Sequence, residues 1–586
     1  MGCCMCEEYK WDDPQEPILC LLEDRKEYCL FHAPGDLKDH EALMDAAWER
    51  VNCVLEANVG RGENDQISCD LSGTAFGEDV DFGGMVFSTS DFRDAKFGGE
   101  ADFMNATFGG KANFRNATFG GKADLWYAKF GGEANFRCAK FGGKAYFWNA
   151  KFGGKAYFRN AKFGGEAYFW NTKFGGKAYF MNATFEGEAN FWYPEFGRKA
   201  YFRNATFGGE TSFRNAEFGG KTYFGNATFG EKANFWYAKF RGEAYFTNAT
   251  FGGEANFRYA KFESEAQFLL STFSSFMIAD KTAFEDKTLF EKATFQKNAS
   301  FSQTTFKEVS FPLSRFYEEP VFDRADLRMA ELLGAPVEDF RLMACKLPTR
   351  RGRRITYDAR KVNGIGYFPL DNVNTVSTLE ETPPPGHLED LYRRLKKVAR
   401  REYDETLASD FHYAEKEMQR HRGWDMLTNC ERTRENNHGF CLRDRARGLG
   451  LWLVLSLYRF ISGYGESPLR AFGALMLLVL LPGALMHPLP VHLPLWLAII
   501  GLMAFPKGFF LPFWLGAASL WFLPHIPNSL ENLDLGASWL HFIPLVKLPK
   551  AAEFDWLPRA LMLCSQVAIT LQAALFGFAL RNRFRR

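Results

Sequence analysis

The chain has 586 residues, of which 47% are hydrophobic and 24% are charged, and its formal net charge is +1. This length predicts several domains. The near-neutral total conceals three regions: an acidic stretch over the first 60 residues, a basic segment over residues 101–261 with 23 Lys and Arg against 12 Asp and Glu, and a strongly apolar stretch over the last 140 residues. The basic segment excludes mimicry of DNA, which requires an acidic surface.

Residues 1–60 are predicted to form a Cys-rich head with a zinc site. Cys29-x-x-His32 and two upstream thiols supply the ligand types of a tetrahedral zinc ion, although the spacing is not that of a standard zinc finger. The predicted ligands are Cys6, Cys20, Cys29 and His32, with Cys3 or Cys4 as substitutes. A set of reduced surface thiols is the alternative, and both interpretations stay open.

Residues 67–347 are predicted to form one repeat domain, in which an 11-residue unit, worded A-N-F-R-N-A-T-F-G-G-K, recurs regularly between Phe97 and Phe262. Phe recurs at alternating intervals of five and six residues, as at Phe108, Phe114 and Phe119. Neither an amphipathic strand nor a single helix has this period, whereas a fixed repeat is typical of a solenoid. We predict four steps in each 22-residue coil, with Phe and the Ala two residues before it pointing inward. Gly pairs such as Gly109-Gly110 are expected to form corners with positive φ.

The repeat units ANFRN at 112–116 and ADLRM at 325–329 resemble the pentapeptide-repeat family, whose pattern is A-[DN]-[LF]-x-x. The resemblance implies a mainly β fold, a right-handed quadrilateral β-helix, and the regular sixth residue of every second step departs from the family pattern. Almost thirteen coils fit residues 67–346, which gives a rod roughly 60 Å long at ~4.8 Å per coil. Its ends are sheet edges and must be capped.

The residue after each inward Phe faces outward, so every 22nd residue falls into one column. Two columns on opposite sides of the rod stand out as surface ladders: Trp126, Trp148, Trp170 and Trp192 in one, and Arg115, Arg137 and Arg159 in the other. An exposed row of Trp predicts an interaction surface. Copying of repeat units, which copies their surface residues as well, is the alternative origin of both ladders.

Residues 348–386 are predicted to be a linker, and residues 387–440 an α-helical neck in which Leu388, Leu391 and Leu395 recur at helical spacing. This part resembles a helical pair in membrane-anchored bacterial members of the same family. We expect Glu415 and Glu417 to lie on a solvated charged face of a helical hairpin and not in a metal or acid–base site.

Residues 449–586 are predicted to form an all-α transmembrane domain that begins with an interfacial elbow over 449–460. Its apolar segments are 468–486, 489–505, 508–523 and 557–580, of which the middle two are short for a bilayer span. Arg-rich flanks at both ends predict a multi-pass protein of the cell membrane with both termini in the cytoplasm. Four crossings, or two crossings with a re-entrant middle, satisfy this orientation.

Residues 461–468, of sequence ISGYGESP, resemble the entry to the channel-like C-terminal region of bacterial membrane pentapeptide-repeat proteins, a region related to two-span potassium channels. A potassium filter lies between two spans. Gly463-Tyr464-Gly465 precedes the predicted spans, so we predict that it forms a turn.

Three functions are compatible with the sequence. The first is a membrane-anchored scaffold or sensor, in which membrane lipid holds the C-terminal helices and the cytoplasmic rod binds an unknown protein partner. The second is a homo-oligomeric ion channel of the two-span type, regulated by the rod. The third is a basic rod that binds nucleic acid at the membrane. The sequence contains no convincing nucleophile–base pair, phosphate-binding loop or carboxylate dyad, so we predict that the protein is not an enzyme.

Overall fold

The structure, a computed structural model, describes residues 29–32, 39–62, 66–362, 366–367, 383–428, 438–465, 467–475 and, near the C-terminus, 569–570, 572–574, 577 and 581. The chain divides into two compact units, residues 1–348 and 349–586. The first unit holds a parallel β-solenoid and the second unit holds helices, as the repeat pattern and the helical spacing predict.

The solenoid consists of four ladders of short parallel strands, and each strand pairs with the strand about one coil later. We call its sides face 1 to face 4 in the order in which the chain passes them. The strands of face 1 are Ser68–Asp70, Thr89–Asp91, Ala112–Asn113, Ala134–Asn135, Ala156–Tyr157, Ala178–Tyr179, Ala200–Tyr201, Thr222–Tyr223, Ala244–Tyr245, Ala266–Gln267 and Ala330–Glu331. Those of face 3 are Val80–Asp81, Ala101–Asp102, Ala123–Asp124, Ala145–Tyr146, Ala167–Tyr168, Ala189–Asn190, Thr211–Ser212, Ala233–Asn234, Ala255–Asn256, Met277–Ile278 and Ala299–Ser300.

The other two faces alternate with these. The 12 strands of face 2 are Ala75–Phe76, Lys96–Phe97, Thr118–Phe119, Lys140–Phe141, Lys162–Phe163, Thr184–Phe185, Thr206–Phe207, Thr228–Phe229, Thr250–Phe251, Thr272–Phe273, Thr294–Phe295 and Arg315–Phe316. Those of face 4 are Val86–Phe87, Thr107–Phe108, Lys129–Phe130, Lys151–Phe152, Lys173–Phe174, Glu195–Phe196, Glu217–Phe218, Lys239–Phe240 and Lys261–Phe262. Two longer strands, Ala283–Leu289 and Thr305–Ser310, join the ladders of faces 4 and 1 near the C-terminal end.

Stacked Phe rings fill the interior, as predicted. Phe136 and Phe158 are fully buried one coil apart, with ring centroids 5.0 Å apart and ring planes 2° from parallel. The Ala residues two positions earlier, such as Ala134 and Ala156, are equally buried. Each buried Phe contributes about 1.5–3 kcal/mol through removal of apolar surface from water. Because the same contact recurs in every coil, the ring stack stabilises the whole rod.

The corners do not use glycine in the predicted way. Positive φ occurs at the second residue after the inward Phe or Leu on faces 1 and 3. Gly73 and Gly84 take this position in the first coils, and Asn, as at Asn116, takes it most often later, because Asn tolerates this conformation better than most residues. The Gly pairs of the later coils lie instead where successive coils approach closely. A Cβ atom on Gly154 would lie 2.2 Å from the carbonyl oxygen of Gly132, and one on Gly176 would lie 2.0 Å from that of Gly154. Only glycine fits at such an approach.

Helix α1 (His40–Ala57) packs on the first coils of the solenoid. It buries Leu43, Ala47 and Val51 on one side. Trp48 Nε1 donates to the carbonyl oxygen of Asp81 (3.1 Å), and the Arg50 guanidinium donates to that of Asp70 (2.6 Å). The helix therefore satisfies backbone acceptors that the sheet edge would otherwise expose. At the other end, Phe340 follows the 3₁₀ turn Val337–Asp339 and covers the last Phe rings.

The second unit contains helices α2 (Pro385–Arg401), α3 (Glu405–Thr428) and α4 (His438–Ser462). Two small hairpins, Thr349–Arg350 with Arg353–Arg354 and Lys361–Val362 with Gly366–Tyr367, and the 3₁₀ turn Tyr357–Arg360 precede them. Pro385 begins α2, a position where its missing N–H costs nothing. The apolar residues predicted at helical spacing, such as Leu388 and Leu395, are buried.

The expectation of a solvated charged face on α3 is wrong, because Glu415 and Glu417 are buried. Glu417 accepts hydrogen bonds from the guanidiniums of Arg420 (2.9 Å) and Arg459 (2.8 Å) and from the Tyr464 hydroxyl (2.9 Å). Arg459 lies on α4, so this carboxylate ties α4 to α3. Tyr464 lies in the predicted Gly-Tyr-Gly turn, whose three residues all have positive φ.

The predicted location as a multi-pass protein of the cell membrane is wrong. Among the described residues, no helix is both long enough and apolar enough to cross a bilayer. Helix α4 contains the predicted elbow, but Arg447 and Arg459 confine its uncharged run to residues 448–458, which is short of a span. The segments 489–505 and 508–523 lie outside the described residues, and so does most of 468–486 and 557–580.

Candidate interaction surfaces of the solenoid

The Trp column, which comprises Trp126, Trp148, Trp170 and Trp192, lies at the corner after face 3. The first three indoles contact one another edge to face, with centroids 5.3 Å and 5.1 Å apart and ring planes 86° and 88° from parallel. Trp170 is 41% exposed and Trp192 is 38% exposed. The column therefore presents an ordered aromatic surface to solvent.

Two residues that were not predicted from the sequence, Arg214 and Trp236, extend this surface. The Arg214 guanidinium lies 4.4 Å from the ring centroid of Trp236 and 5.8 Å from that of Trp192. A cation over an indole is attracted by the negative face of the ring. Trp236 follows Trp192 by two coils, so the 22-residue spacing could have found it, had the Arg between them not interrupted the row.

Tyrosines on face 3 support the Trp column from the side. Tyr146 and Tyr168 stack at 5.1 Å, and both lie edge to face with Trp148, at 5.8 Å and 6.0 Å. The Tyr168 hydroxyl donates to Glu166 Oε2 at 2.6 Å, and burial together with this carboxylate raises the pKa of Tyr168. These contacts hold the indoles in one arrangement.

The Trp column reduces the stability of the solenoid itself. The indole N–H groups of Trp126 and Trp148 are buried, and neither has an acceptor among the described residues. A buried donor without a partner costs about 1–3 kcal/mol. Trp192, two coils after Trp148, does have an acceptor: its Nε1 donates to Ser212 Oγ at 2.6 Å.

The Arg column, which comprises Arg115, Arg137 and Arg159, lies at the corner after face 1, half a coil from the Trp column. Arg115 and Arg159 are exposed, while the Arg137 guanidinium lies 3.9 Å from the ring centroid of Tyr157. That Tyr begins a row on face 1, the Tyr stack, in which successive centroids are 4.8–5.0 Å apart; its members are Tyr157, Tyr179, Tyr201, Tyr223 and Tyr245. This row was not predicted from the sequence, although it has the same 22-residue spacing.

Of the predicted zinc ligands, the structure describes two. Cys29 Sγ lies 3.0 Å from His32 Nδ1, and His32 Nε2 lies 2.7 Å from the carbonyl oxygen of Ser72. An imidazole held through one nitrogen by a carbonyl and offering the other beside a thiol has the arrangement common at zinc sites. Cys6 and Cys20 lie outside the described residues. Within those described, no group of three or more such ligands could hold a metal ion.

Comparison with known proteins gives one match. The family model described as pentapeptide repeats (9 copies) matches residues 71–118, 92–140, 147–193, 191–239 and 235–275, all within the solenoid. No curated protein and no solved structure matches the chain. The resemblance of the C-terminal region to a membrane channel receives no support from these comparisons.

Proposed function

We propose that this chain, whose solenoid is a pentapeptide-repeat domain, is a scaffold that binds a protein partner along its Trp column. The observation that carries the proposal is a row of indoles on four successive coils. Trp126, Trp148 and Trp170 are held edge to face, and Trp170 and Trp192 are exposed. Trp, Tyr and Arg dominate the binding energy of protein interfaces. All three residue types meet in this row, because Arg214 lies over Trp236 and Tyr193 is exposed beside Trp192.

The energetics of the column favour a binding role over a structural one. The interior of the rod already consists of Phe and Ala, so outward indoles are not needed to fill it. The buried N–H groups of Trp126 and Trp148 reduce stability. Since the coils fix these rings before any partner arrives, association orders few side chains, and the entropy cost of binding is low.

Paired substitutions test the proposal. Trp170→Ala/Trp192→Ala removes the two most exposed indoles of the column, and Leu313→Ala/Tyr317→Ala removes two exposed apolar side chains elsewhere on the solenoid as a matched control. Quantitative affinity capture from the source cell is expected to yield a protein that the wild type and the control retain equally. The column variant should retain it at least ~10-fold less, as for a loss of interface hot spots.

Two further measurements show whether the partner covers the Trp column and whether the variants are folded. Acrylamide quenching of Trp fluorescence should decrease when the captured protein is added to the wild type, because binding covers the indoles. Both variants should unfold thermally within a few degrees of the wild type. Equal retention of every captured protein by the column variant and the control would contradict the proposal.

A further inference from the structure

A second surface of the solenoid, around face 1, is strongly cationic. We call it the cationic strip; its members are Lys155, Lys177 and Lys199 at the corner before face 1, and Arg137, Arg159 and Arg203 at the corner after it. Within each row, members are one coil apart, except that Met181 replaces Arg in one coil. The Tyr stack runs between the two rows.

The cations of the strip differ from neighbouring cations in their partners. In the part of the chain that the structure describes, none of the six forms an ion pair, whereas neighbouring lysines do: Lys173 lies 3.0 Å from Glu195, and Lys221 lies 2.7 Å from Glu243. Face 1 itself carries no carboxylate between residues 134 and 222. Unpaired like charges on successive coils repel one another and attract a polyanion.

The distribution of charge along the solenoid confines the attraction for a polyanion to the central coils. Residues 67–100 contain 7 Asp and Glu against 2 Lys and Arg, and residues 262–347 contain 14 against 10. Residues 101–261 between them contain 12 against 23. A polyanion is therefore repelled by both ends of the solenoid and drawn to the central coils.

The regular spacing of the strip indicates what kind of polyanion fits. Ring centroids on successive coils lie 4.7–5.0 Å apart in this region. A straight row of cations at constant spacing suits a polymer with one negative charge per repeat unit, such as a nucleic acid strand, better than an acidic peptide whose side chains alternate in direction. A duplex backbone winds away from a straight row, whereas a single strand can extend along it.

The Tyr stack determines whether the strip contacts the bases or the phosphates of such a strand. Tyr157 and Tyr179 are parallel within 5°, and Tyr179 and Tyr201 within 1°, so each ring covers the face of the next. Bases stack on exposed aromatic faces, and the interior of this row offers none. Contacts are therefore made to phosphates, by Lys as point charges and by Arg through its planar donors.

We propose that the cationic strip binds single-stranded nucleic acid through its phosphate backbone and without selecting bases. The proposal is independent of the Trp column, which lies half a coil away. Loss of one activity should leave the other intact.

Fluorescence anisotropy with a labelled 15-nucleotide oligothymidylate tests the proposal on the full chain. The variant Lys155→Gln/Lys177→Gln removes two charges from the strip. The matched control Lys140→Gln/Lys162→Gln removes two exposed lysines of face 2, which form no ion pair with any described residue, and gives the same net charge. The strip variant should bind about 10-fold more weakly than the wild type near 0.1 M salt, and its slope of log K against log salt should fall by about 1 for each lost contact.

The control should bind like the wild type, oligoadenylate should bind like oligothymidylate, and the strip variant should unfold at the wild-type temperature. Equal weakening by the two variants would overturn the proposal, because net charge alone would then account for binding. Tighter binding of a duplex or of polyglutamate of equal charge would overturn it as well, since the strip would then serve another partner.

Discussion

The solenoid and the helical unit place their charges in opposite ways. The interior of the solenoid holds Phe and Ala, and its Lys and Arg side chains lie at the surface. The helical unit buries charged groups beside their partners, namely Glu389, Asp410, Glu415 and Glu417, and it buries His421 as well. The difference teaches that a repeat fold is stabilised by one contact copied along its length, whereas the helical unit depends on pairs that occur once.

Removal of one buried charge should show the difference between the two units most clearly. Glu417→Ala leaves Arg459 and Arg420 without the carboxylate that they share, and breaking a buried ion pair costs about 3–5 kcal/mol. Hydrogen exchange followed by mass spectrometry should show faster exchange in α3 and α4 and unchanged exchange in the solenoid coils.

The matched change in the solenoid is Glu243→Ala, which removes a half-buried partner of Lys221. Ion pairs near the surface contribute at most about 1 kcal/mol. A loss of protection in the coils as large as that in α3 would show that the two units do not differ in this respect.

Close approach of the coils provides the next largest effect. Gly176→Ala would place a Cβ atom 2.0 Å from the carbonyl oxygen of Gly154, and overpacking of this kind costs about 1–3 kcal/mol. The adjacent control Gly175→Ala meets its nearest atom, the carbonyl oxygen of Phe152, at 3.4 Å, and should be nearly neutral. The free energy of unfolding from urea titration distinguishes the two. Equal costs would mean that backbone freedom and not coil spacing requires these glycines.

Acid should affect the helical unit before the solenoid. Burial lowers the pKa of His421. Burial also opposes the charged form of Glu417, but the nearby His421 imidazole, the hydrogen bond from Arg420 and the charge of Arg459 outweigh it and hold the pKa of that carboxyl well below its usual range. Both groups therefore bind fewer protons folded than unfolded. Their stabilisation is present at neutral pH and is lost as pH falls, first below ~6.5 and then below ~4.3, the ordinary values of His and Glu.

The solenoid carries shifts of both signs. Hydrogen bonds from lysines lower the pKa of the surface carboxyls Glu166, Glu243 and Glu263, so acid removes only weak surface interactions there. Burial, in contrast, raises the pKa of Asp91 and of Asp102. These two carboxyls favour the folded state more as pH falls. Hydrogen exchange between pH 7 and pH 4 should thus show protection lost from α3 and α4 while the coils retain it. Earlier loss of protection in the coils would contradict this order.

Repetition also decides what the sequence could predict. The burial and stacking of Phe158 follow from its period alone, since each copy reports the same contact. The position of Gly176 was predictable, but its reason was not, because the approach of one coil to another is a relation in space and not along the chain. The buried state of Glu417 carries no periodic signal. Its partner Arg459 lies 42 residues away, and the pair occurs once.

The surfaces follow the same rule. The positions of the Trp and Arg columns were predictable from the 22-residue spacing, and so was the Tyr stack, had the residue before each Phe been traced. The extension of the Trp column to Trp236 was missed because Arg214 occupies the column position between Trp192 and Trp236. It interrupts the run of Trp residues but keeps the 22-residue spacing. The absence of ion pairs on Lys155 and Lys177 was not predictable, since it depends on which side chains reach each other across coils.

The coils have 22 residues through the middle of the rod, from the pair Ser90 and Ala112 to the pair Thr272 and Thr294, and this constancy keeps the length of the rod and the alignment of its columns separate. Inserting or deleting one whole coil would lengthen or shorten the rod by one strand spacing and keep every column aligned. Inserting 11 residues would instead rotate everything downstream by half a turn, so that indoles would continue the row of guanidiniums. A change of whole coils would therefore alter the length of the rod alone, whereas a change of half a coil would disrupt both surfaces at once.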